Sequence, residues 1–317
     1  MIIASYLIGI LSGVAATAQA SFNGEIRRRY RSPYITAAIN FVVALSVIAA
    51  VLLITEHSLA LPVSEITKYP AWIWTGGVCG VVIVMTGILC LPVLGSASNM
   101  MLLCFGQIMG GLIIDHYGLF SAPHAEMTLM RAAGAVLETA GIILISAEKG
   151  GRGKGSIKDR GGKVMLFIIM DAAAGFVAAM QVAVNGTLAV AAGSPVRATL
   201  VSMGGALVTT AVIICVLTLI KGKTAVFDGR IPPKDPVKIT PFMLTGGLMA
   251  LVVVGGNAIT GPVLGTGIVT MMNLFGMMAA GLVIDATGFL GIEAKPVTIS
   301  KIAGMGLMLA GTALISL

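Results

Sequence analysis

Charged residues are scarce in this sequence of 317 residues: Asp, Glu, Lys and Arg together make up 10% of it, and aromatic residues only 5%. A soluble domain carries about 25% charged residues, so this composition excludes an ordinary soluble protein. Hydrophobic residues account for 57% of the chain, and its mean hydropathy is +1.01. The composition therefore indicates an integral membrane protein that crosses the bilayer many times. Its 41 glycines favour close helix packing.

Residues that carry covalent or metal chemistry are also few. The four cysteines form no Cys-x-x-Cys pair, and all lie inside apolar stretches. Three histidines, His57, His116 and His124, are too scattered for a metal site. The sequence has no His-Glu-x-x-His motif and no nucleophile elbow, and its glycine-rich GGRGKGS stretch lacks the P-loop pattern. We expect no metal, no cofactor and no enzymatic activity.

The net charge of +7 does not indicate nucleic-acid binding, because the basic residues lie in segments between apolar spans. We predict ten spans, all α-helical, each of a length suited to crossing a membrane. They cover approximately 2–21, 35–55, 71–91, 95–115, 130–147, 164–184, 197–220, 241–260, 264–284 and 299–316. The first span resembles a signal peptide but lacks a basic beginning, so we interpret it as a retained helix.

The chain contains an internal repeat. Residues of the stretch from Gly95 to Gly118 recur 170 positions later, among them Gly95, Met101, Phe105, Gly106, Gly111, Leu112, Asp115 and Gly118. Gln19, Asn23, Ser32 and Pro33 match Gln181, Asn185, Ser194 and Pro195. The pattern predicts a five-helix repeat over residues 1–150, a basic glycine-rich cytoplasmic linker over 151–162, and a second five-helix repeat over 163–317. A Pro-Val-Leu-Gly corner occurs in each half, and we expect its proline to end one helix and its glycine to open the next.

An odd number of helices in each repeat predicts that the second repeat is inserted upside down. Ten spans divide the basic residues into seventeen on one side of the membrane and three on the other. The richer side is expected to be cytoplasmic, which places both termini outside. An inverted-topology repeat is typical of secondary transporters, whose binding site lies near the midplane between the repeats.

The motif GQIMGGLIIDHYGLF, the Pro-Val-Leu-Gly corners and the Gln-x-x-x-Asn pattern followed by Ser-Pro resemble the YdcZ-like branch of the drug/metabolite transporter superfamily. This chain looks like two such five-helix halves fused. The resemblance implies a ten-helix fold in which the first four helices of each half line a central cavity and the fifth is peripheral. It also implies small organic solutes as substrates, often exchanged for protons. The second copy departs from the motif, because Met277 replaces Gln107.

Two carboxylates lie in the middle of predicted spans, Asp171 and Glu138. A charge at that depth costs about 3 kcal/mol or more, so such residues commonly face a cavity and have a function. We predict that Asp171 is a proton or cation site, because it lies on the first helix of its half. Packing alone is the other interpretation. For Glu138 we favour a contact between helices or subunits over a site role.

Amide side chains are the next candidates for substrate contacts. Gln19 and Asn23, like Gln181 and Asn185, share a helix face at a spacing of four residues. Asn40, Asn99, Gln107, Asn257 and Asn273 are further amides inside spans. Hydrogen bonds between helices are the alternative role for all of these amides, and such bonds are worth only about 0.6 kcal/mol on average in membranes.

Asp115 and Asp285 lie at matched helix C-termini, where a negative charge is unfavourable unless it is paired. Arg131 and Lys301 follow each of them at the same spacing. We predict the structural ion pairs Asp115–Arg131 and Asp285–Lys301.

Together these features predict a secondary transporter of the bacterial inner membrane. It would export a small polar or cationic organic solute by alternating access in exchange for protons bound at Asp171. Its expected partners are the substrate, protons and membrane lipid, and the chain is expected to be a monomer or homodimer. A membrane-embedded lipid-modifying enzyme that uses Asp115, His116 and His124 is one alternative, and a passive channel is another.

Overall fold

The computed structural model describes residues 2–94, 96–149, 162–227, 241–287 and 298–316. Ten helices of 18 residues or more lie in this part of the chain. In chain order they are α1 Ile2–Tyr30, α2 Pro33–Glu56, α3 Gly76–Leu94, α4 Ser96–Tyr117, α5 Leu129–Lys149, α6 Gly162–Ala191, α7 Pro195–Lys221, α8 Pro241–Leu264, α9 Thr266–Thr287 and α10 Ile299–Ser316. Eight helices of the described residues are long and apolar enough to cross a membrane. The all-α membrane fold is confirmed, while the full number of crossings stays a prediction.

The repeated Ser-Pro dipeptides begin α2 and α7. The Ser32 hydroxyl accepts a hydrogen bond of 3.1 Å from the backbone N–H of Ile35. Ser194 is placed in the same way before Arg197, at 3.5 Å. The proline that follows each serine needs no hydrogen-bond donor in the first helical turn, and its fixed φ suits a helix start. The recurring motif is therefore a helix-start signal.

Several predicted helix ends were wrong, including that of α6, which was predicted at residue 184 and lies at Ala191. The first span was predicted to end at residue 21, but α1 continues to Tyr30 and includes Arg27 and Arg29. Charged residues do not interrupt a helix, and arginine is a good helix former. The helices α3 and α8 run through Pro92 and Pro262 and end at Leu94 and Leu264, because a proline removes only the hydrogen bond of its own missing N–H and little helix follows it here. Gly265, at φ +80°, then separates α8 from α9.

The predicted linker, residues 151–162, lies outside the described residues apart from Gly162, which begins α6.

The two halves are interlaced through their first helices. α1 packs against α8 and α9, and α6 packs against α3 and α4. Glycines allow the closest approaches: a Cβ atom at Gly13 of α1 would overlap the carbonyl oxygen of Asn273, and one at the equivalent Gly175 of α6 would overlap that of Leu103. Each half therefore supplies the helix that completes the other, and the space between them belongs to both.

The fifth helix of each half forms a separate pair. α5 and α10 lie antiparallel, with Gly134 facing Gly311 and Gly141 facing Gly304. Between these contacts the Thr312 hydroxyl donates a hydrogen bond to the buried Glu138 carboxylate. Small residues at the seam let the backbones meet without intervening side chains.

We expect Gly304→Val to lower the thermal unfolding midpoint by about 5 °C or more, because it forces apart two backbones in contact. A Cβ atom at Gly304 would lie 2.6 Å from Ile145 Cγ1 and 2.8 Å from the Gly141 carbonyl oxygen. A thiol-reactive dye can follow unfolding in detergent in a Cys215→Ser background, since the other three cysteines are buried. Gly306→Val is the matched control, because a Cβ atom there meets no atom within 4 Å. Equal midpoints for both variants would contradict the tight seam.

Candidate functional site: a cavity between the two halves

A cavity of about 380 Å³ lies at the centre of the bundle. Its described lining comes from the first four helices of each half, α1 to α4 and α6 to α9, and from neither α5 nor α10. Amide side chains provide most of its polar groups: Gln19, Asn23, Asn40, Gln107, Gln181, Asn257 and Asn273. The cavity is large enough for a small organic molecule and offers it hydrogen-bond donors and acceptors.

Two amide pairs are tied together across neighbouring helices. Asn40 Nδ2 donates to Asn23 Oδ1 at 2.5 Å, and Asn273 Nδ2 donates to Asn257 Oδ1 at 2.9 Å. Gln181 Nε2 donates to the backbone oxygen of Gly76 at 2.9 Å. These bonds orient the amides and leave part of their hydrogen-bonding capacity facing the cavity.

Gln19 and Gln107 face the cavity without such restraints. Neither side chain has a hydrogen-bond partner among the described residues, although both line the cavity. An amide carries two donor hydrogens and an acceptor oxygen. These two residues are therefore the side chains most available to a bound molecule.

The predicted site residues divide into two groups by position. Gln19, Asn23, Asn40, Gln107, Gln181 and Asn273 are brought together around the cavity. Three others are not among its described lining residues: Asn185, Asp171 and Glu138.

Asp171 lies away from the cavity although it is on the same helix as Gln181. Its side chain is fully buried, and neither carboxyl oxygen has a hydrogen-bond partner in the described part of the chain. It precedes the cavity-lining Ala178 by two turns of α6, about 10 Å along the helix axis. The depth of Asp171 in the helix could be read from the sequence, whereas the direction of its side chain could not.

Hydroxyl groups and one arginine complete the polar lining and were missed by sequence reasoning. Ser12, Thr36 and Ser202 line the cavity, as does Arg27. Serine and threonine occur throughout membrane helices and give no distinguishing signal. Arg27 was assigned to a loop, and the continuation of α1 brings it to the cavity instead.

Asp115 joins the two halves at a helix end. The backbone N–H groups of Thr266 and Gly267, which begin α9, donate to its two carboxyl oxygens at 2.8 Å each. Arg131 Nη2 lies 3.8 Å from Asp115 Oδ2, and Arg131 Nε donates to the Ile315 oxygen of α10 at 3.3 Å. A carboxylate is favourable at a helix N-terminus, where free N–H groups and the helix dipole both attract it.

For the second predicted pair, the side chain of Asp285 lies outside the described part of the structure. Lys301 is buried.

A second ionic contact between the halves was not predicted. Arg197 Nη2 lies 2.7 Å from Glu56 Oε2, and the Ser194 hydroxyl donates to Glu56 Oε1 at 2.7 Å. The contact ties the end of α2 to the start of α7. Sequence separation gave no indication that these residues meet.

Among the described residues, the lining of the cavity reaches one end of the bundle and not the other. Its lining reaches Arg27 and Pro33, where α1 gives way to α2. The equivalent positions of the second half, Ala189 and Pro195, are not in the described lining. There Ala189 packs in a buried cluster with Ile66 and Ile73 from the segment between α2 and α3. In the described part of the chain, the cavity therefore reaches the α1–α2 end, while a buried apolar cluster closes the α6–α7 end.

A bundle of membrane-length helices around a central cavity with polar groups in its lining is the architecture of a multi-pass membrane protein with a candidate binding site inside the bundle. The model of the DMT YdcZ family, described as "Putative inner membrane exporter, YdcZ", matches residues 4–144 and again residues 166–314. The chain belongs to this family, and each half of it matches the family once. The predicted kinship and the fusion of two halves are confirmed.

No curated protein matches this chain. Several solved structures match this chain. Among them is a crystal structure of a protein with a TM-score of 0.65 at 16% sequence identity, covering 98% of this chain and 96% of that one. At this identity the likeness shows the fold alone.

Proposed function

We propose that this protein is a secondary transporter that exports a small polar organic solute across the inner membrane by alternating access. The observation that carries the proposal is the amide-lined cavity, which is enclosed by helices of both halves and closed at one end. A transporter needs a site that both halves share, so that their relative movement can expose it to each side in turn. The exporter description of the family supports the direction.

The lining favours a polar solute over a cation. Among the described residues that line the cavity, the charged side chain is that of Arg27, and no carboxylate is present. Amides donate and accept with equal ease, so they suit hydroxyl, amide or carboxylate groups of a substrate. A cation would have to leave its hydration shell without a negative charge to compensate for the loss.

We propose protons as the driving ion and Asp171 as the proton site, acting without direct contact to the substrate. A carboxyl group buried without a hydrogen-bond partner is strongly disfavoured when ionised, so its charge state responds to any movement that admits water. Asp171 lies on α6, the helix that also carries Gln181. Movement of α6 would link its protonation to the state of the cavity.

The test is solute-dependent proton flux in proteoliposomes. With an imposed pH gradient, a panel of polar metabolites is added while the internal pH is followed, and at least one compound is expected to collapse the gradient. Asp171→Asn should abolish this collapse while the same solute still exchanges for itself, and Asp171→Glu should retain part of it. Asp171→Asn with the coupling of the wild type would show that Asp171 is not the proton site. Flux that rises linearly without saturation would favour the passive channel.

The alternative of a lipid-modifying enzyme finds less support. Asp115 is occupied by two backbone N–H groups and Arg131. His116 Nδ1 accepts a hydrogen bond from the Met127 backbone at 3.1 Å. In the described part of the chain, no group of three His, Cys, Asp or Glu side chains is placed to hold a metal ion.

A further inference from the structure

Two polar clusters occupy equivalent places in the two halves, but they differ in their exposure to the central cavity. In the first, Asn23 and Asn40 surround Gly246 of α8, where a Cβ atom would lie 2.7 Å from Asn40 Oδ1 and 2.9 Å from Asn23 Oδ1. Both asparagines line the cavity and are bonded to each other.

The second cluster consists of Asn185, Ser202 and Gly76. The repeat relates Asn23 to Asn185, Asn40 to Ser202, and Gly246 to Gly76. A Cβ atom at Gly76 would overlap Asn185 Oδ1 and lie 3.3 Å from Ser202 Oγ. Here, however, Asn185 is 1% exposed and does not line the cavity.

The polar atoms of this second cluster are unpaired. Neither the nitrogen nor the oxygen of the Asn185 side chain has a hydrogen-bond partner among the described residues, and the same holds for Ser202 Oγ. A buried polar group without a partner destabilises the folded protein by about 1–3 kcal/mol. Such groups are therefore rare, and each one indicates a role other than stabilising this state. Packing alone would be served better by an apolar residue at position 185.

Asn185 also stands between two cavities. Ser202 and Gly77 line one end of the central cavity. Gly186 and Thr187, the residues that follow Asn185 in α6, line a smaller cavity of about 210 Å³. Asn185 itself, which contacts Gly76, is in the described lining of neither cavity.

We propose that Asn185 and Ser202 form a second polar station for the substrate, shut in this state and exposed to the opposite side of the membrane when the halves exchange positions. The proposal rests on the proposed transport function. It adds the residues that would contact the substrate at the α6–α7 end of the bundle. The station is the counterpart of Asn23 and Asn40, and it takes the same class of ligand, a small solute with hydrogen-bonding groups. In the opposite state, Gly246 approaches Asn23 and Asn40 as closely as Gly76 approaches Asn185 here.

The first arm of the test is the side from which each station can be labelled. Asn23→Cys and Asn185→Cys are made in a Cys79→Ala, Cys215→Ser background and exposed to a membrane-impermeant methanethiosulfonate in right-side-out and in inverted vesicles. Asn23→Cys should react from one face, and Asn185→Cys, more slowly, from the other. Labelling of both from the same face would overturn the proposal. So would no labelling of Asn185→Cys from either face.

The second arm tests the closing contact with Ala189→Cys as the reporter, so that Asn185 stays intact. Gly76→Ala adds a Cβ atom that overlaps Asn185 Oδ1, and it should raise the labelling rate at Ala189→Cys about tenfold by favouring the opposite state. Gly204→Ala is the matched control, because a Cβ atom there would lie 3.9 Å from Leu45 Cδ1, an ordinary van der Waals contact. Equal effects of the two alanines would contradict the assigned closure.

The two proposals fail in distinguishable ways. If the two cysteines are labelled from opposite faces but the protein moves no solute, the two stations are supported and the transport function is contradicted. If the protein exchanges solute but both cysteines are labelled from the same face, the transport function is supported and the second station is contradicted.

Discussion

The variant Gln107→Met is expected to lower solute transport by about 10- to 100-fold, the effect of removing a hydrogen bond to a largely dehydrated ligand. Gln107 lines the cavity and has no hydrogen-bond partner among the described residues. Its replacement therefore takes a contact from the substrate and none from the protein. Methionine is close in size to glutamine and already occupies the equivalent position, Met277.

The measurement is the initial rate of exchange in proteoliposomes, with the thermal unfolding midpoint determined alongside it. The midpoint should stay within about 1 °C of the wild type, because no bond within the described part of the protein is lost. Phe105→Leu is the control on the same helix, since Phe105 is 45% exposed on the outer surface and does not line the cavity. Transport by Gln107→Met at the wild-type rate would mean that the substrate binds elsewhere.

Composition and apolar runs were sufficient to predict the helices, because the bilayer sets their length and forbids unpaired backbone groups. The lining of the cavity by the first four helices of each half agrees with what the family resemblance implied. Helix ends were less predictable. Arg27 shows why: its charge indicated a surface segment, yet the helix continues past it and carries it to the cavity.

The sequence could not predict which side chains of each helix face the cavity. Asp171 and Gln181 lie on one helix, and the sequence indicated both as site residues, Asp171 by its depth in the span and Gln181 by the repeated amide pair. Only the packing of α6 against α3 and α4 decides that Gln181 faces the cavity and Asp171 does not. Asn23 and Asn185 have matching sequence contexts, yet Asn23 lines the cavity whereas Asn185 is buried away from it.

The largest expected effect on stability is that of Asp115→Asn. The carboxylate of Asp115 caps α9 and lies beside Arg131, and both side chains are buried. Asparagine keeps the size of the side chain but removes its charge and turns one of two acceptors into a donor, which faces the N–H of Thr266 or Gly267. Breaking a buried charge pair from one side costs about 3–5 kcal/mol, because the remaining charge stays desolvated. We expect the unfolding midpoint to fall by about 5–10 °C.

The double variant Asp115→Asn, Arg131→Met separates the charge from the cap. If the unpaired arginine causes most of the loss, removing it should recover part of the midpoint, giving a positive coupling between the two sites. If the double variant is no more stable than Asp115→Asn, the two hydrogen bonds to the start of α9 account for the effect instead. Glu65→Gln is the control for charge removal in general: Glu65 pairs with Lys68 at 2.6 Å on the surface, and exposed pairs contribute little. An unchanged midpoint in Asp115→Asn would contradict the role of Asp115 in holding α4, α5 and α9 together, which the geometry of its three contacts requires.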